Sequence, residues 1–230
     1  MNIQGFNKMT LLDFPGKVAC TIFTGGCDLR CPFCHNSSLV LTPNATPVEL
    51  DEIFSFLNKR KGILDGVVLT GGEPLLWQDA EDFLARVREL DAYAIKLDTN
   101  GTHPDRLRAV IDKGLCDYVA MDIKNSPARY PETVGISGFD VSGVRASVAL
   151  LLEGRVDYEF RTTAVHPLHS EEAFFEIADF IRGARRYFIQ NFVDSGALIG
   201  EGMSGFDEHQ MQRFADIVRD SVESVELRGI

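Results

Sequence analysis

Long apolar runs and clustered positive charge are both missing from this 230-residue sequence. No stretch approaches the roughly 18 consecutive apolar residues of a membrane-spanning helix, so we expect no membrane partner. Lys and Arg number 23 against 34 Asp and Glu, a net charge of -11, which disfavours binding to nucleic acid or to anionic membranes. Residues 1–8 lack the basic stretch and apolar core of a secretory signal, which predicts a cytoplasmic, reducing location.

The cysteine content excludes a simple disulfide framework. Five cysteines are an odd count, and they are unevenly spread along the chain. Cys20 and Cys116 stand apart and are interpreted as buried, inert thiols. Cys27, Cys31 and Cys34 fall together in one short segment. In a reducing compartment such a cluster first indicates a metal site.

No Pro-, Gly- or Ser-rich linker divides the chain, so residues 1–230 are interpreted as a single domain. Short β-branched runs alternate with segments of helical period. The predicted strands are residues 18–23, 66–70, 93–97, 118–123, 158–165 and 187–191. The predicted helices are residues 46–59, a segment around 83–90, and residues 103–113, 141–152, 170–182 and 207–222.

The first of these helices is predicted from a capping box at residues 46–49, with Pro47 at the first helical position. Six strand–helix units are typical of a parallel sheet with helical crossovers. The pattern alone allows an open doubly wound sheet or a barrel, complete or partial.

Unusual polar and cysteine chemistry follows the predicted strands at the points where they end. Ligands of parallel α/β folds bind at the carboxyl ends of the strands, so these groups are expected to share one cleft. They comprise the cysteine segment, Gly71-Gly72-Glu73-Pro74, Asp98-Thr99-Asn100-Gly101, Asp122-Ile123-Lys124 and the segment around His166.

The cysteine spacing allows more than one metal centre. Thiolates select zinc, Cu(I) or iron–sulfur clusters. Structural zinc normally takes four protein ligands, and His35 is the nearest fourth candidate. Because His35 directly follows Cys34, both would reach one tetrahedral ion only with strain. The alternative is a [4Fe–4S] cluster on Cys27, Cys31 and Cys34, with one iron left open.

The motifs together resemble those of the radical S-adenosylmethionine (SAM) superfamily. Residues 27–36, CDLRCPFCHN, resemble its CxxxCxΦC signature, with Phe33 at the aromatic position Φ. Residues 71–74 resemble its GGEP motif. Residues 98–101 and 122–124 are similar to the DTNG and DxK segments of glycyl-radical-enzyme activases. Residues 11–17, LLDFPGK, resemble the activating proteins of anaerobic ribonucleoside-triphosphate reductase.

This resemblance implies an α/β fold, a single-domain partial parallel (β/α)6 barrel of the TIM type, and a radical chemistry. The three cysteines would hold a [4Fe–4S] cluster whose open iron chelates the methionine end of SAM. Reductive cleavage of SAM would give methionine and a 5′-deoxyadenosyl radical. In activases that radical removes a hydrogen atom from a glycine of a partner enzyme.

The resemblance also implies roles around SAM. Phe33 would contact the adenine, while His35 and Asn36 would face the SAM pocket. The backbone at Gly71 and Gly72 would receive the SAM ammonium, and Glu73 would pair with that ammonium or hold the loop.

Charged residues at later strand ends complete the implied site. Lys124 would neutralise the SAM carboxylate. Asp98 and Asp122, with Thr99, would bind a monovalent cation beside that carboxylate. Arg161 stands in an apolar strand and needs a partner, for which a place near SAM inside the barrel is expected.

The sixth predicted strand departs from the family pattern. Some activases end this strand with a histidine that contacts the adenosyl group, whereas residues 188–192 here read FIQNF. Gln190 or Asn191 is the expected replacement.

The resulting prediction is an activase of a glycyl-radical enzyme, with anaerobic ribonucleoside-triphosphate reductase as partner and flavodoxin or ferredoxin as electron donor. A small-molecule radical SAM enzyme, such as a deazapurine synthase, is the second hypothesis, and a zinc-stabilised binding module the third. The irregular segment 127–138 is predicted to lie at the cleft mouth, where Arg129, Tyr130 and Thr133 would contact the partner.

Overall fold

A computed structural model describes residues 1–41, 47–194 and 196–230. Its central feature is one eight-stranded sheet. The strands are β1 Ile3–Thr10, β2 Ala19–Thr24, β3 Gly66–Gly71, β4 Ala94–Thr99, β5 Tyr118–Asp122, β6 Asp157–Ala164, β7 Tyr187–Asn191 and β8 Val225–Arg228.

The sheet is open and mostly parallel. Strands β2 to β8 run parallel in chain order, and β1 pairs antiparallel with β2. Strands β1 and β8 form the two edges and are not paired with each other within the described residues. The architecture is a single-domain partial barrel, as the sequence predicted, and β2 to β7 are its six predicted strands.

Helices follow the parallel strands and cover the outside of the sheet. The α-helices are α1 Ser37–Leu41, α2 Leu50–Arg60, α3 Ala80–Arg88, α4 Pro104–Asp112, α5 Tyr130–Thr133, α6 Ser142–Leu152, α7 Glu171–Phe180 and α8 Glu208–Val218. The predicted start of α2 is only partly testable, since Thr46 lies outside the described residues. The described helix begins at Leu50, with Glu49 as its N-cap, so the prediction that Pro47 is helical was wrong.

The segment 127–138 differs from the sequence prediction. It contains the one-turn helix α5, and Tyr130 and Thr133 are both buried. The Tyr130 hydroxyl accepts a hydrogen bond from the Lys124 N–H, at 3.1 Å. The prediction that Tyr130 and Thr133 contact a partner was therefore wrong, because both side chains are buried inside the protein. Arg129 is exposed, as that prediction requires.

Each strand presents one face to the helices and one to the barrel interior. The outward face carries the main apolar core, which includes Cys20 and Cys116 as buried free thiols. Burial raises the pKa of each of these thiols to about 12, so both remain protonated. In the described residues no helix is long and apolar enough to span a membrane.

Phe14 closes the barrel interior at the amino ends of the strands. Its side chain packs with Ala19, Val68, Tyr118 and Ala120 in a small apolar cluster inside the barrel. A methyl group added to the glycine that starts β3 would lie 2.8 Å from the Phe14 ring, so the ring sits directly against the backbone. The loop between β1 and β2 is therefore part of the fold.

Replacing Phe14 by Ala should destabilise the protein by about 3–5 kcal/mol, because the ring is 3% exposed and its removal leaves a cavity. Leu12→Ala is the matched control from the same loop: Leu12 is 92% exposed, and its loss should change stability by less than about 0.5 kcal/mol. Anaerobic urea unfolding measures both. Equal effects of the two substitutions would contradict the assignment of Phe14 to the barrel interior.

Candidate functional site

One cavity lies at the carboxyl ends of the parallel strands and collects most of the predicted site residues. Twelve of the fifteen predicted residues line it: Cys27, Cys31, Phe33, Cys34, His35, Asn36, Gly72, Asp98, Thr99, Asp122, Lys124 and Arg161. The residues that the sequence predictions did not assign include Leu29, Val40, Thr70, Asn100 and Thr163. The expected shared cleft is therefore present.

The three clustered cysteines are free thiols on the loop between β2 and α1. The Cys27 sulfur accepts a hydrogen bond from the Leu29 N–H at 3.3 Å, and the Asn100 amide lies 3.7 Å from the same sulfur. Burial raises the pKa of Cys27 to about 12 and that of Cys31 to about 11. Thiols in this state are inert until a metal displaces their protons.

Asp28 ties the cysteine loop to the loop that follows β4. Its carboxylate accepts a 2.9 Å hydrogen bond from the Asn100 side-chain amide and lies 3.4 Å from His103 Nε2. Burial alone would raise the pKa of Asp28, but the nearby His103 ring and the hydrogen bond from Asn100 outweigh it and hold the value at about 2. Asp28 is therefore an ionised anchor beside Cys27.

A neighbouring segment supports the same loop from the other side. The Arg30 N–H donates to the Val134 carbonyl at 2.9 Å. A methyl group added to Gly135 would lie 2.4 Å from the Arg30 carbonyl oxygen, so the two backbones are in close contact. The segment around α5 thus acts as a support for the cysteine loop.

The two glycines at the end of β3 allow backbone to approach backbone. Gly71 has φ of +128°, and a methyl group there would lie 2.3 Å from the backbone N and O of Thr24. At Gly72 it would lie 1.9 Å from the Gly26 carbonyl oxygen and 3.4 Å from the Cys27 Cβ. Side chains at either position would push the cysteine loop away from β3.

Glu73 is fully buried and is not among the cavity-lining residues described. Oxygen Oε1 accepts from the Leu75 N–H and the Thr99 hydroxyl, both at 2.9 Å, and Oε2 accepts from the Asn100 N–H at 2.7 Å. Burial raises its pKa to about 7 against the lowering effect of the Asn100 and Leu75 N–H groups. Of its two predicted roles, these contacts match the one that holds the loop.

Alternating charges form the floor of the cavity. Asp98 accepts from the Lys96 ammonium, and its Oδ2 lies 3.2 Å from Arg161 Nη1. Asp122 accepts from Arg161 Nε at 3.0 Å and from Lys124 Nζ at 2.9 Å. Three cations therefore meet two carboxylates, and Arg161 has the acidic partners that its place in a strand required.

The charged state of this floor follows from the pairing. Burial alone would raise the pKa of Asp122, but attraction to Arg161 and Lys124 outweighs it and holds the value at about 2. Burial opposes the charge of Lys124 and Arg161, yet Asp122 raises the pKa of both. Asp122, Lys124 and Arg161 therefore keep their charges at neutral pH, and the two cations line the cavity, where a carboxylate ligand could reach them.

The predicted residues at β7 are less involved. Gln190 pairs in register with Thr163, which lines the cavity, but Gln190 itself is not among the lining residues described. Its side-chain amide donates to the Asn191 carbonyl at 3.1 Å. Phe192 stacks on His35, with ring centroids 5.4 Å apart. The His35 ring is therefore packed at the cavity wall.

The donor set fits an iron–sulfur cluster and a SAM molecule. Three free thiols, a backbone made accessible by glycine, and the side chains of Lys124 and Arg161 share one cavity. Within the described chain, no three His, Cys, Asp or Glu side chains converge as ligands of a single metal ion. A cluster that gives each thiolate its own iron does not require such convergence.

Glu73→Gln should destabilise the protein by about 1–3 kcal/mol at pH 8, because an amide NH2 then faces the Asn100 N–H. The pKa of Glu73 rises from 4.5 to about 7 on folding, so the wild type loses stability as pH increases through this range. The variant does not titrate there. Its stability deficit should therefore shrink between pH 5 and 8 by an amount on the order of 2 kcal/mol.

Denaturant unfolding of both proteins across this pH range measures the change, and groups common to both cancel. A deficit that stayed constant or grew with pH would contradict the buried, hydrogen-bonded position of this carboxyl group.

Comparison with known proteins gives the chain a family. The model of the radical SAM superfamily matches residues 21–181. A Methanocaldococcus jannaschii protein with the provisional name glycyl-radical enzyme activating enzyme is 30% identical over 233 residues, covering 99% of this chain and 96% of the relative. The 7-carboxy-7-deazaguanine synthase of Bacteroides thetaiotaomicron is 30% identical over 163 residues, 70% of each protein.

The fold has its own counterpart among solved structures. A domain of pyruvate-formate lyase-activating enzyme from Bacteroides vulgatus superimposes with a TM-score of 0.58 and 18% identity, covering 72% of this chain and 99% of that domain. At this identity the similarity concerns the fold. The family model and the Methanocaldococcus jannaschii relative show that the chain belongs to the radical SAM superfamily, which implies a [4Fe–4S] cluster and SAM as cofactors.

Proposed function

We propose that this protein is an activase, which cleaves SAM reductively and generates a glycyl radical on a partner enzyme. The observation that carries the proposal is the similarity to the Methanocaldococcus jannaschii relative, which extends over nearly the full length of both proteins. The cavity, with its three thiols and with Lys124 and Arg161 among its lining residues, supports the SAM chemistry.

Cys27, Cys31 and Cys34 are the proposed ligands of three irons of the cluster. Once bound, the cluster supplies the electron that breaks a carbon–sulfur bond of SAM. The chain's own contribution is positional. Asn100 and Asp28 hold the loop at Cys27, and the contact between Gly72 and Gly26 brings that loop against β3.

The floor and walls of the cavity are the proposed SAM site. Lys124 and Arg161 line the cavity and are proposed to provide the positive charge for the SAM carboxylate. Lys124 also pairs with Asp122, and Arg161 pairs with both Asp98 and Asp122. The backbone at Gly71 and Gly72 is proposed to accept the ammonium. Phe33 and Asn36 are proposed to contact the rest of the molecule from the cysteine loop.

The far side of the adenosine site is proposed to involve Gln190. Its register neighbour Thr163 already lines the cavity, so a ligand that fills the space above β6 comes within reach of β7. His35, stacked on Phe192, is proposed to form the wall between this region and the cluster.

The prediction of a monovalent cation at Asp98, Thr99 and Asp122 comes from family resemblance alone. The four carboxylate oxygens each accept a hydrogen bond from a cationic side chain, and the Thr99 hydroxyl bonds Glu73. An inorganic cation would therefore compete with groups of the chain itself.

The proposed partner is anaerobic ribonucleoside-triphosphate reductase, and the proposed electron donor is flavodoxin or ferredoxin. A glycine inside a folded protein must enter the cavity on a peptide loop, and the open edge between β1 and β8 supports such access. Segment 127–138 also supports the cysteine loop through the Arg30–Val134 hydrogen bond, so a deletion in this segment would affect SAM chemistry together with partner recognition.

A second candidate is a small-molecule enzyme of deazapurine synthesis. The observation that favours it is the 70% coverage of the Bacteroides thetaiotaomicron synthase. Against it stands the longer alignment with the activating enzyme. The zinc-stabilised binding module predicts a colourless protein with zinc in place of iron. Against it stand the family match and the lack, among the described residues, of three side chains that converge on one metal ion.

Cys31→Ser should abolish cluster assembly and all reductive SAM cleavage, because each of the three thiols is assigned its own iron. Iron content, the brown colour of anaerobically purified protein and 5′-deoxyadenosine formation measure the loss. Cys116→Ser, at a buried thiol outside the cavity, is the control and should keep the cluster. Four irons and normal product in Cys31→Ser would refute the assignment.

Lys124→Ala should weaken SAM binding roughly 10- to 100-fold, as expected for the loss of one charge-assisted contact. Lys113→Ala removes an exposed lysine of α4's C-cap and should leave the SAM dissociation constant unchanged. Titration of the reconstituted holoenzyme with SAM gives both values. If Lys124→Ala bound SAM as the wild type does, Lys124 would serve only its ion pair with Asp122.

The activase function is tested with purified anaerobic ribonucleoside-triphosphate reductase. Anaerobic incubation of the holoenzyme, SAM, a reductant and the reductase should produce a glycyl-radical signal by electron paramagnetic resonance, and Cys31→Ser should produce none. SAM cleavage without this signal would exclude that partner. A parallel incubation supplies a small-molecule precursor of the deazapurine in place of the reductase, and formation of 7-carboxy-7-deazaguanine there would establish the second candidate.

A further inference from the structure

A lysine lies buried beneath the proposed SAM site without touching the cavity. Lys96 is 2% exposed, stands on β4 two residues before Asp98, and is not among the described lining residues. Its ammonium pairs with Asp98 Oδ1. The lysine therefore reaches the carboxylate from the barrel interior, opposite the side on which a ligand would bind.

The donors around Asp98 leave little for an inorganic ion. Oδ1 accepts from Lys96, while Oδ2 accepts from Arg161 at 3.2 Å and from the Thr70 hydroxyl at 3.3 Å. A hard cation needs several oxygen ligands that are not already engaged with N–H donors. The Thr99 hydroxyl bonds Glu73 and accepts from the Gly101 N–H at 3.1 Å, so it too is engaged.

Energetics favour a tethered cation at this position. A buried carboxylate requires a compensating charge, and a buried ammonium requires one equally. Lys96 and Asp98 meet both needs within one strand. A free ion would have to be captured from solvent and dehydrated, whereas the lysine is held in place by folding.

We propose that Lys96 is a built-in cation that takes the place of a bound monovalent metal ion beneath the SAM carboxylate. It is a positioning residue: it fixes the charge and orientation of Asp98, which in turn fixes Arg161. SAM binding should therefore be independent of Na⁺ and K⁺. The inference rests on the proposed SAM site, but it also predicts that Lys96 occupies the cation position when SAM is absent.

The first experiment titrates the reconstituted holoenzyme with SAM in KCl, NaCl and tetramethylammonium chloride at equal ionic strength. The wild type should give dissociation constants within about twofold of each other, because no cation site is left to fill. Lys96→Met should bind SAM about tenfold more weakly in tetramethylammonium chloride and recover in KCl or NaCl. Lys61→Met, at an exposed lysine, should match the wild type.

The second experiment needs no SAM. Thermal unfolding of the same holoproteins in the three salts should show no cation effect for the wild type. Lys96→Met should melt about 3 °C higher in KCl or NaCl than in tetramethylammonium chloride, because the vacated site takes up the ion. The double variant Lys96→Met/Asp98→Asn should lose this response, since the carboxylate that attracts the ion is gone.

The outcomes separate the two proposals. If no SAM binds in any salt but the melting responses appear, the proposed function fails and the built-in cation stands. Wild-type SAM binding or melting that depends on K⁺ or Na⁺ would overturn the inference, whatever the variant does. A folded Lys96→Met whose SAM binding and melting temperature are the same in all three salts would overturn it as well. The position would then need no cation, and an apolar side chain would serve in place of the lysine.

Discussion

The buried carboxyl group of Glu73 joins the ends of two neighbouring strands, and the position of the cysteine loop depends on it. Its three hydrogen bonds connect the turn after β3 to the Thr99 hydroxyl and the Asn100 N–H after β4. Asn100 then reaches Asp28 and the Cys27 sulfur through its side chain. A single buried group thus positions the cysteine loop at Cys27 through Asn100, and it is not among the described cavity-lining residues.

Ion pairs along the cavity favour a negatively charged ligand group. The ion pairs along and beneath the cavity combine two carboxylates with three cations, and two of these cations, Lys124 and Arg161, line the cavity where a carboxylate ligand would bind. Lys96 supplies one of these charges from the barrel interior, where water cannot reach it. The arrangement keeps these side chains charged through folding itself, because Lys96, Arg161 and Lys124 each pair with Asp98 or Asp122.

The sequence predicted the six central strands and the shared cleft because both depend on local patterns. Alternating apolar segments mark the strands, and polar motifs at their ends must meet at one edge of a parallel sheet. Strands β1 and β8 escaped prediction because they are half-exposed edges, and β8 has only four residues. Their pairing comes from neighbours in the sheet and leaves little periodicity to detect.

Non-local contacts were harder to predict. Lys96 is an isolated charge in a strand. Only its burial inside the partial barrel, where it pairs with Asp98, distinguishes it from a surface lysine. Tyr130 and Thr133 lie in a polar, Pro-containing segment typical of an exposed loop, yet they are buried against residues 124 and 125. Asn100 could be recognised from the sequence only as part of a motif. Its contacts with Cys27 and Asp28 join distant parts of the chain, so only the folded structure reveals them.

The central claim is that the cavity at the carboxyl ends of the parallel strands holds a cluster that cleaves SAM. Its most direct test is to measure 5′-deoxyadenosine by chromatography after anaerobic incubation of the iron-reconstituted protein with SAM and a strong reductant. The account predicts product that depends on the protein, SAM and reductant together. A protein that carries four irons per chain and binds SAM, yet forms no 5′-deoxyadenosine, would contradict it.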